Sequence, residues 1–378
     1  SRVLGSGVRL LVASLAISEI FGWPLVCVVI VTAGVSTAYA GYGGIKAILW
    51  TDAFQAAIIT SAAFVAVACL LAGTPGTWSE NLATAYQAGK FHVFTWDADP
   101  NNDRAFWVLL IHATILNMAA LGTDQDLTQR MLTCANLRDG QKSLLFNAFA
   151  GLPIVVVFLA IGSLLFVYYQ AQPAGSVPDH VLAKTDRIFP FFIATGLPYN
   201  VGLRGLLLTA ILAAGMSSLS SAIGALSSTA VTDFYRVVTR SRRSEAHYLR
   251  AARACTVGFG AVLILVALAF AGYDKLLWQV FQWVSLVFGG MLGVFLLGVT
   301  TTRRGHDRTN MLAMVSSTLL LVALKLYQEH GKGTDPLDPT VLIAWPWWVV
   351  VGTGWTYLLG ACFSTRRSQG DRSLTDRR

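Results

Sequence analysis

The sequence predicts an all-α polytopic membrane protein. Three observations carry that reading. Only 13% of the 378 residues are charged and 54% are hydrophobic, whereas a soluble domain carries about 25% charged residues. The apolar residues come in long runs, and a run of about 20 crosses a bilayer as a helix. The basic residues sit in short stretches between those runs. The formal net charge of +8 therefore reads as membrane topology and not as a surface for nucleic acid.

Taken in order, residues 1–20 read as the end of a span, because Arg9 and Glu19 interrupt them. Nine spans are expected after it, at roughly 22–41, 45–72, 105–125, 143–170, 200–232, 252–272, 275–300, 310–327 and 341–363. Lys and Arg divide unevenly between alternate loops. One set, which runs from Lys46 through Arg130, the 236–253 segment and Arg303 to the C-terminal tail, holds eighteen. The other, which includes Lys90, Arg104 and Lys184, holds seven. The positive-inside rule puts the first set, and so the tail 364–378, in the cytoplasm. The loops at roughly 73–104 and 171–199 then lie outside, and their Pro, Gly, Asp and Trp content suits short lid helices. The whole chain reads as a single transmembrane domain in the cytoplasmic membrane, in contact with lipid.

Residues 203–236, LRGLLLTAILAAGMSSLSSAIGALSSTAVTDFYR, stand apart in composition. Ala214, Ser217, Ser218 and Ser221 fall at i, i+3, i+4 and i+7 and share one helix face. Hydroxyls at membrane depth need partners. Two explanations stand open: close packing of helices through small residues, or a hard cation held by hydroxyl and backbone oxygens. Asp52 lies within the apolar run 45–72. A carboxylate at that depth points to function, or, with Thr51, to the capping of a helix N-terminus.

No enzyme constellation is present in the sequence. The six histidines are dispersed, and only His112 lies in a span. The five cysteines form no CxxC or Cys/His spacing of a zinc site. There is no P-loop, and GMLGVFLLG at 290–298 follows no strand, so its glycines read as helix packing.

AAGMSSLSSAIGALSS followed by TDFYR resembles the signature helix of the sodium:solute symporter family, which includes sodium/glucose and sodium/proline cotransporters. YGGIKAILWTDAFQ (42–55) is similar to the start of that family's fifth core helix, GTDQDLTQRML (122–132) to its sixth, and IAWPWWVVVGTGWTYLLGACFS (343–364) to its last helix. The resemblance runs in order over essentially the whole chain. It implies a leucine-transporter-like fold of two inverted five-helix repeats, each beginning with a helix broken at mid-membrane. Residues 1–72 would then end the first repeat, 105–300 form the second, and 310–363 supply two outer helices. Core helices one and two would lie outside this chain, which would begin within the third.

The same resemblance implies a sodium site with Ala214 as carbonyl ligand and Ser217 and Ser218 as hydroxyl ligands, Ser220 facing elsewhere. It sets Asp52 on the ion's route to the cytoplasm. Asn117 aligns with a solute-contacting asparagine, or else serves an interhelical hydrogen bond; Gln279 and Gln282 are polar at depth and face the solute in this reading. Ala119, Ala120 and Gly151 replace the aromatic pair and lysine of sugar carriers, so a hexose is not the expected substrate. The expected function is sodium-coupled symport of a small organic solute, by alternating access. A solute sensor that does not transport, or a sodium-independent permease of the same fold, are the alternatives.

Overall fold

A computed structural model describes residues 2–173, 175–182, 187–198, 202–240, 243–272, 276–301, 304–330 and 343–363, without the side chains of 180, 276–279 and 330. The named elements among these residues are all helical: α1 (Arg2–Phe21), α2 (Leu25–Gly73), α3 (Trp78–Gln87), α4 (Phe106–Thr123), α5 (Gln125–Leu132), α6 (Leu137–Gln170), α7 (Asp179–Leu182), α8 (Ile188–Thr195), α9 (Leu203–Thr229), α10 (Arg236–Val238), α11 (Glu245–Ala269), α12 (Leu276–Thr300), α13 (Asp307–His330) and α14 (Trp348–Ala361). Eight of these segments are long and apolar enough to cross a membrane. The expected all-α polytopic class is what the chain adopts.

Several boundaries differ from expectation, each for a local reason. Residues 1–20, expected as the end of a span, form α1, whose 20 residues are long and apolar enough to cross alone. The charges that interrupt its sequence have partners inside the protein. Arg9 donates to Ser218 Oγ at 3.1 Å, and Glu19 pairs with Arg187 at 3.4 Å. The expected spans 22–41 and 45–72 are two helical stretches of α2 that meet in a kink at Gly44 (φ 60, ψ −164), between the two expected spans. The basic segment 236–253 is mostly helical, because Ser244 caps α11 by accepting the His247 amide and Arg236 pairs with Glu245. The last expected span holds a 3₁₀ turn, Trp345–Trp347, followed by the 14-residue α14. The loops read as outer do carry short helices, α3 in one and α7 and α8 in the other. In the first, Thr77 and Glu80 close a capping box, and the Thr77 amide holds the Glu80 carboxyl below its ordinary range.

α4 and α5 meet at Asp124, whose extended backbone (φ −82, ψ 119) stops the helix. Its carboxylate then accepts the Asp126 amide at 3.0 Å. The helical run that begins at Phe106 is thus interrupted at Asp124. The break follows 18 helical residues, about 27 Å at 1.5 Å per residue.

The chain forms two compact units. The first comprises residues 2–93 and 129–280, and α9 packs there against α1, α2, α8 and α11. Leu10, Leu11, Val29, Leu219, Ile223 and Leu263 form one buried cluster. Leu70, Ile161, Leu165, Phe192, Ile193 and Leu207 form another. A Cβ on Gly215 would come within 2.5 Å of Ala13 Cβ, so α1 and α9 approach closely there. The second unit comprises residues 94–128 and 281 onward. Its core gathers Ala119, Phe288, Leu292 and Val349. The glycines of α12 act there as packing residues: a Cβ on Gly293 would meet Thr353 O at 2.7 Å.

The turn at Gly44 yields a test. Its dihedrals lie in a region open essentially to Gly, while a Cβ there would meet nothing within 4 Å. Gly44→Ala is expected to cost about 1–3 kcal/mol from backbone strain alone. Gly34→Ala, at an open position in the regular part of α2, is expected to stabilise by about 0.5–1 kcal/mol. Thermal unfolding in detergent reads both, and equal midpoints would contradict the strain.

Candidate functional site

α9 carries two different faces. Gly215, Leu219, Ala222 and Ile223 are buried against neighbouring helices. Ala214 is exposed, Ser217 and Ser218 are half-buried, and Ser221 is buried. Close packing and a polar edge, the two alternatives for the small-residue stripe, therefore belong to different sides of one helix.

The polar edge meets Asp52 of α2. Ser217 Oγ donates to Asp52 Oδ1 at 2.6 Å, and Ser221 Oγ donates to Oδ2 at 3.2 Å. Arg130 of α5 pairs with the same Oδ2 at 2.6 Å and donates also to Ser221 Oγ. The side chains of Asp52 and Arg130 are 12% and 32% exposed. Asp52 lies in the eighth position after Gly44 and directs its carboxylate to α9 and α5. It does not cap a helix N-terminus. Thr51, read with it as a cap, instead bonds back to the carbonyls of Ala47 and Ile48.

Ser218 takes the other direction and accepts from Arg9 Nη1 at 3.1 Å. Arg9 is exposed at mid-span of α1. Ser220 is fully buried and bonds back to Ser217 O at 3.0 Å. On the same helix Met216 O accepts from Tyr39, and Ser228 Oγ accepts from Gln129. The result is a row of hydroxyl, carbonyl and carboxylate oxygens along one edge of α9, answered by two guanidinium groups. Chemically it offers oxygen ligands for a hard cation and an arginine for an anion.

The other candidates lie elsewhere. Asn117 is exposed on α4, and its amide donates to Ala113 O of its own helix at 2.8 Å. Gln282 Oε1 accepts from Lys325 of α13 at 3.3 Å. Lys325 is buried, paired with Glu329 and set over the Trp283 ring. The side chain of Gln279 lies outside the described residues. Sequence reasoning counted Arg130 only as a loop charge, Arg9 only as an interruption, and Ser221 only as part of the stripe. The signal for Arg9 was there in principle, because a guanidinium inside an apolar span is costly unless it has a function.

A sequence model of the sodium:solute symporter family matches residues 6–316. The chain is 29% identical over 311 residues to a sodium/sialic acid symporter of Proteus mirabilis, covering 82% of this chain and 62% of that one. It is 27% identical over 297 residues to human sodium-coupled monocarboxylate transporter 1, covering 79% of this chain and 48% of the relative. The chain thus spans about half to three fifths of the length of these curated relatives. A solved structure, the substrate-bound outward-open state of a Na⁺-coupled sialic acid symporter, superposes with a TM-score of 0.77 at 26% identity, over 96% of this chain and 71% of that one. The fold is that of the leucine-transporter class, as expected.

The Asp52–Arg130 contact can be weighed directly. Removing the guanidinium leaves the Asp52 carboxylate, whose side chain is 12% exposed, with the Ser217 and Ser221 hydroxyls. Arg130→Gln is therefore expected to cost about 1–3 kcal/mol. Combined with Asp52→Asn it is expected to cost less than the sum of the two singles, by about 1 kcal/mol. Thermal unfolding of the two singles and the double gives the coupling, and additive costs would show the pair to be incidental.

Proposed function

The chain belongs to the sodium:solute symporter family, and from that membership we propose that it couples sodium influx to uptake of a small organic solute that bears a carboxylate. The family consists of symporters, so the chain is a transporter and not an enzyme. It is a multi-pass membrane protein. In the proposed arrangement residues 105–300 form the second inverted repeat, 1–72 the end of the first, and 310–363 outer helices. The excess of Lys and Arg in one set of loops argues for a C-terminus in the cytoplasm of a cell whose cytoplasmic membrane holds the protein. An external location of a reporter fused after Arg378 would contradict that orientation.

The single observation that carries the ion reading is the 2.6 Å contact between Ser217 and Asp52. Ser217 and Ser218, with the carbonyl of Ala214, supply neutral oxygens to sodium; neutral ligands suit a monovalent ion because they add no net charge at membrane depth. Asp52 is one hydrogen bond away from Ser217 and offers the next oxygen on the way toward the cytoplasm. Any cation that reaches Asp52 shares it with Arg130, which already pairs with Oδ2. That sharing keeps the carboxylate from holding sodium too tightly to release it. Solute binding at the outward-facing state then closes the protein over both.

Arg9 supports the carboxylate. It is exposed at mid-span beside Ser218, and a guanidinium there matches a planar carboxylate in a bidentate pair. The relatives compared above are named for sialic acid and for monocarboxylates. Ala119, Ala120 and Gly151 offer neither the rings nor the lysine of sugar carriers, which argues against a hexose. Asn117, Gln279 and Gln282 remain proposed solute contacts from the resemblance alone.

Two uptake measurements test the reading. Ser217→Ala and Ser218→Ala are each expected to raise the sodium concentration for half-maximal uptake several-fold to about a hundredfold, at nearly normal expression. A packing role would cost only about 0.6 kcal/mol for a lost interhelical bond. Ser220→Ala serves as the control. Equal sodium dependence in all four proteins would leave only packing. Arg9→Gln is expected to weaken carboxylate uptake by about tenfold or more, and unchanged solute affinity would remove Arg9 from the solute site.

A further inference from the structure

A cavity lies in the first unit, away from the serine edge of α9. It holds about 690 Å³, within the range of small-molecule sites, which are mostly apolar with a few placed polar groups. The C-terminal end of α6, the chain that follows it and the start of α8 form its walls, with Lys90 beyond the end of α3. Gly162, Phe166, Leu182 and Phe189 give it apolar walls, and Gln170 stands among them. Among the described residues that line it, Lys90 is the only charged one. The Lys90 ammonium rests over the Phe166 ring, 4.1 Å from its centroid. No carboxylate pairs with it among the described residues. The cavity borders the cluster that contains Leu165, Phe189 and Leu207. Leu207 precedes Ser217 by ten residues, about 15 Å along α9.

We propose that this cavity binds an amphipathic organic monoanion, with the apolar body against α6 and α8 and the anionic group at Lys90. The chemistry is complementary on both counts. The walls release water from an alkyl or aromatic body. The ammonium is held by a ring face, which supplies no formal negative charge, so among the described lining residues its positive charge is left for a ligand to neutralise. Gln170 adds an amide for a second hydrogen bond. Two sources carry such a ligand: a phospholipid of the surrounding leaflet and a free aliphatic carboxylate from solution.

The proposal is tested by photolabelling the purified full chain in phosphatidylcholine nanodiscs. The probes are a diazirine-bearing long-chain fatty acid and its methyl ester. The acid is expected to label peptides within residues 162–189. Lys90→Gln is expected to raise its half-saturating concentration by about fivefold or more while leaving the ester unchanged, and Lys90→Arg to restore the acid. A Cβ on Gly162 meets nothing within 4 Å. Gly162→Leu therefore extends a side chain into the cavity without a clash at its base, and it is expected to abolish labelling by both probes. Suppression of labelling by phosphatidylglycerol in the nanodiscs identifies a membrane lipid as the occupant. Suppression by octanoate alone identifies a free carboxylate. Equal labelling by acid and ester in both the parent chain and Lys90→Gln would overturn the proposal. So would an unchanged label map in a folded Gly162→Leu protein.

Discussion

A carboxylate within an apolar span has to be satisfied by its own protein. Water is scarce at that depth, and lipid offers nothing in its place. Asp52 meets this requirement with two serine hydroxyls of α9 and the guanidinium of Arg130. Three helices that are distant in sequence, α2, α5 and α9, are thereby fixed at one point. The rest of the candidate site depends on that point. The contact orients Ser217, whose backbone carbonyl in turn accepts the Ser220 hydroxyl.

The same requirement explains why α9 is built from such small residues. A helix that presents hydroxyls on one edge still has to be held by van der Waals contact on the other, since apolar side chains gain little by leaving lipid for protein. Gly215 against Ala13 supplies that close approach. Leu219 and Ile223 then fill the space around it. Packing and the polar edge do not compete for residues here, because the helical period separates them onto different faces.

Two backbone interruptions shape the crossings, and they act differently. Gly44 lets the chain turn without ending its helix, through a conformation that a side chain would strain. Asp124 ends one helix and opens the next with its own carboxylate. In the second unit Gly289 and Gly293 of α12 serve neither purpose. They bring two backbones together where a methyl group would collide with a carbonyl oxygen.

The sequence by itself determined the class of fold. Charge deficit and apolar run length are properties of composition, and a bilayer admits only helices or closed barrels from such runs. It also marked Ser217, Ser218 and Asp52, because a polar group in an apolar run is conspicuous without any coordinates. It did not reveal which groups meet. Arg130 lies 78 residues from Asp52, and Arg9 lies 209 from Ser218. Nothing in local periodicity relates positions so far apart. Arg9 and Glu19 likewise break an apolar run in the sequence, yet each has a partner supplied from elsewhere in the chain. Hydropathy charges a polar side chain its full cost in isolation, whereas the folded protein offsets that cost through contacts that only the tertiary structure decides.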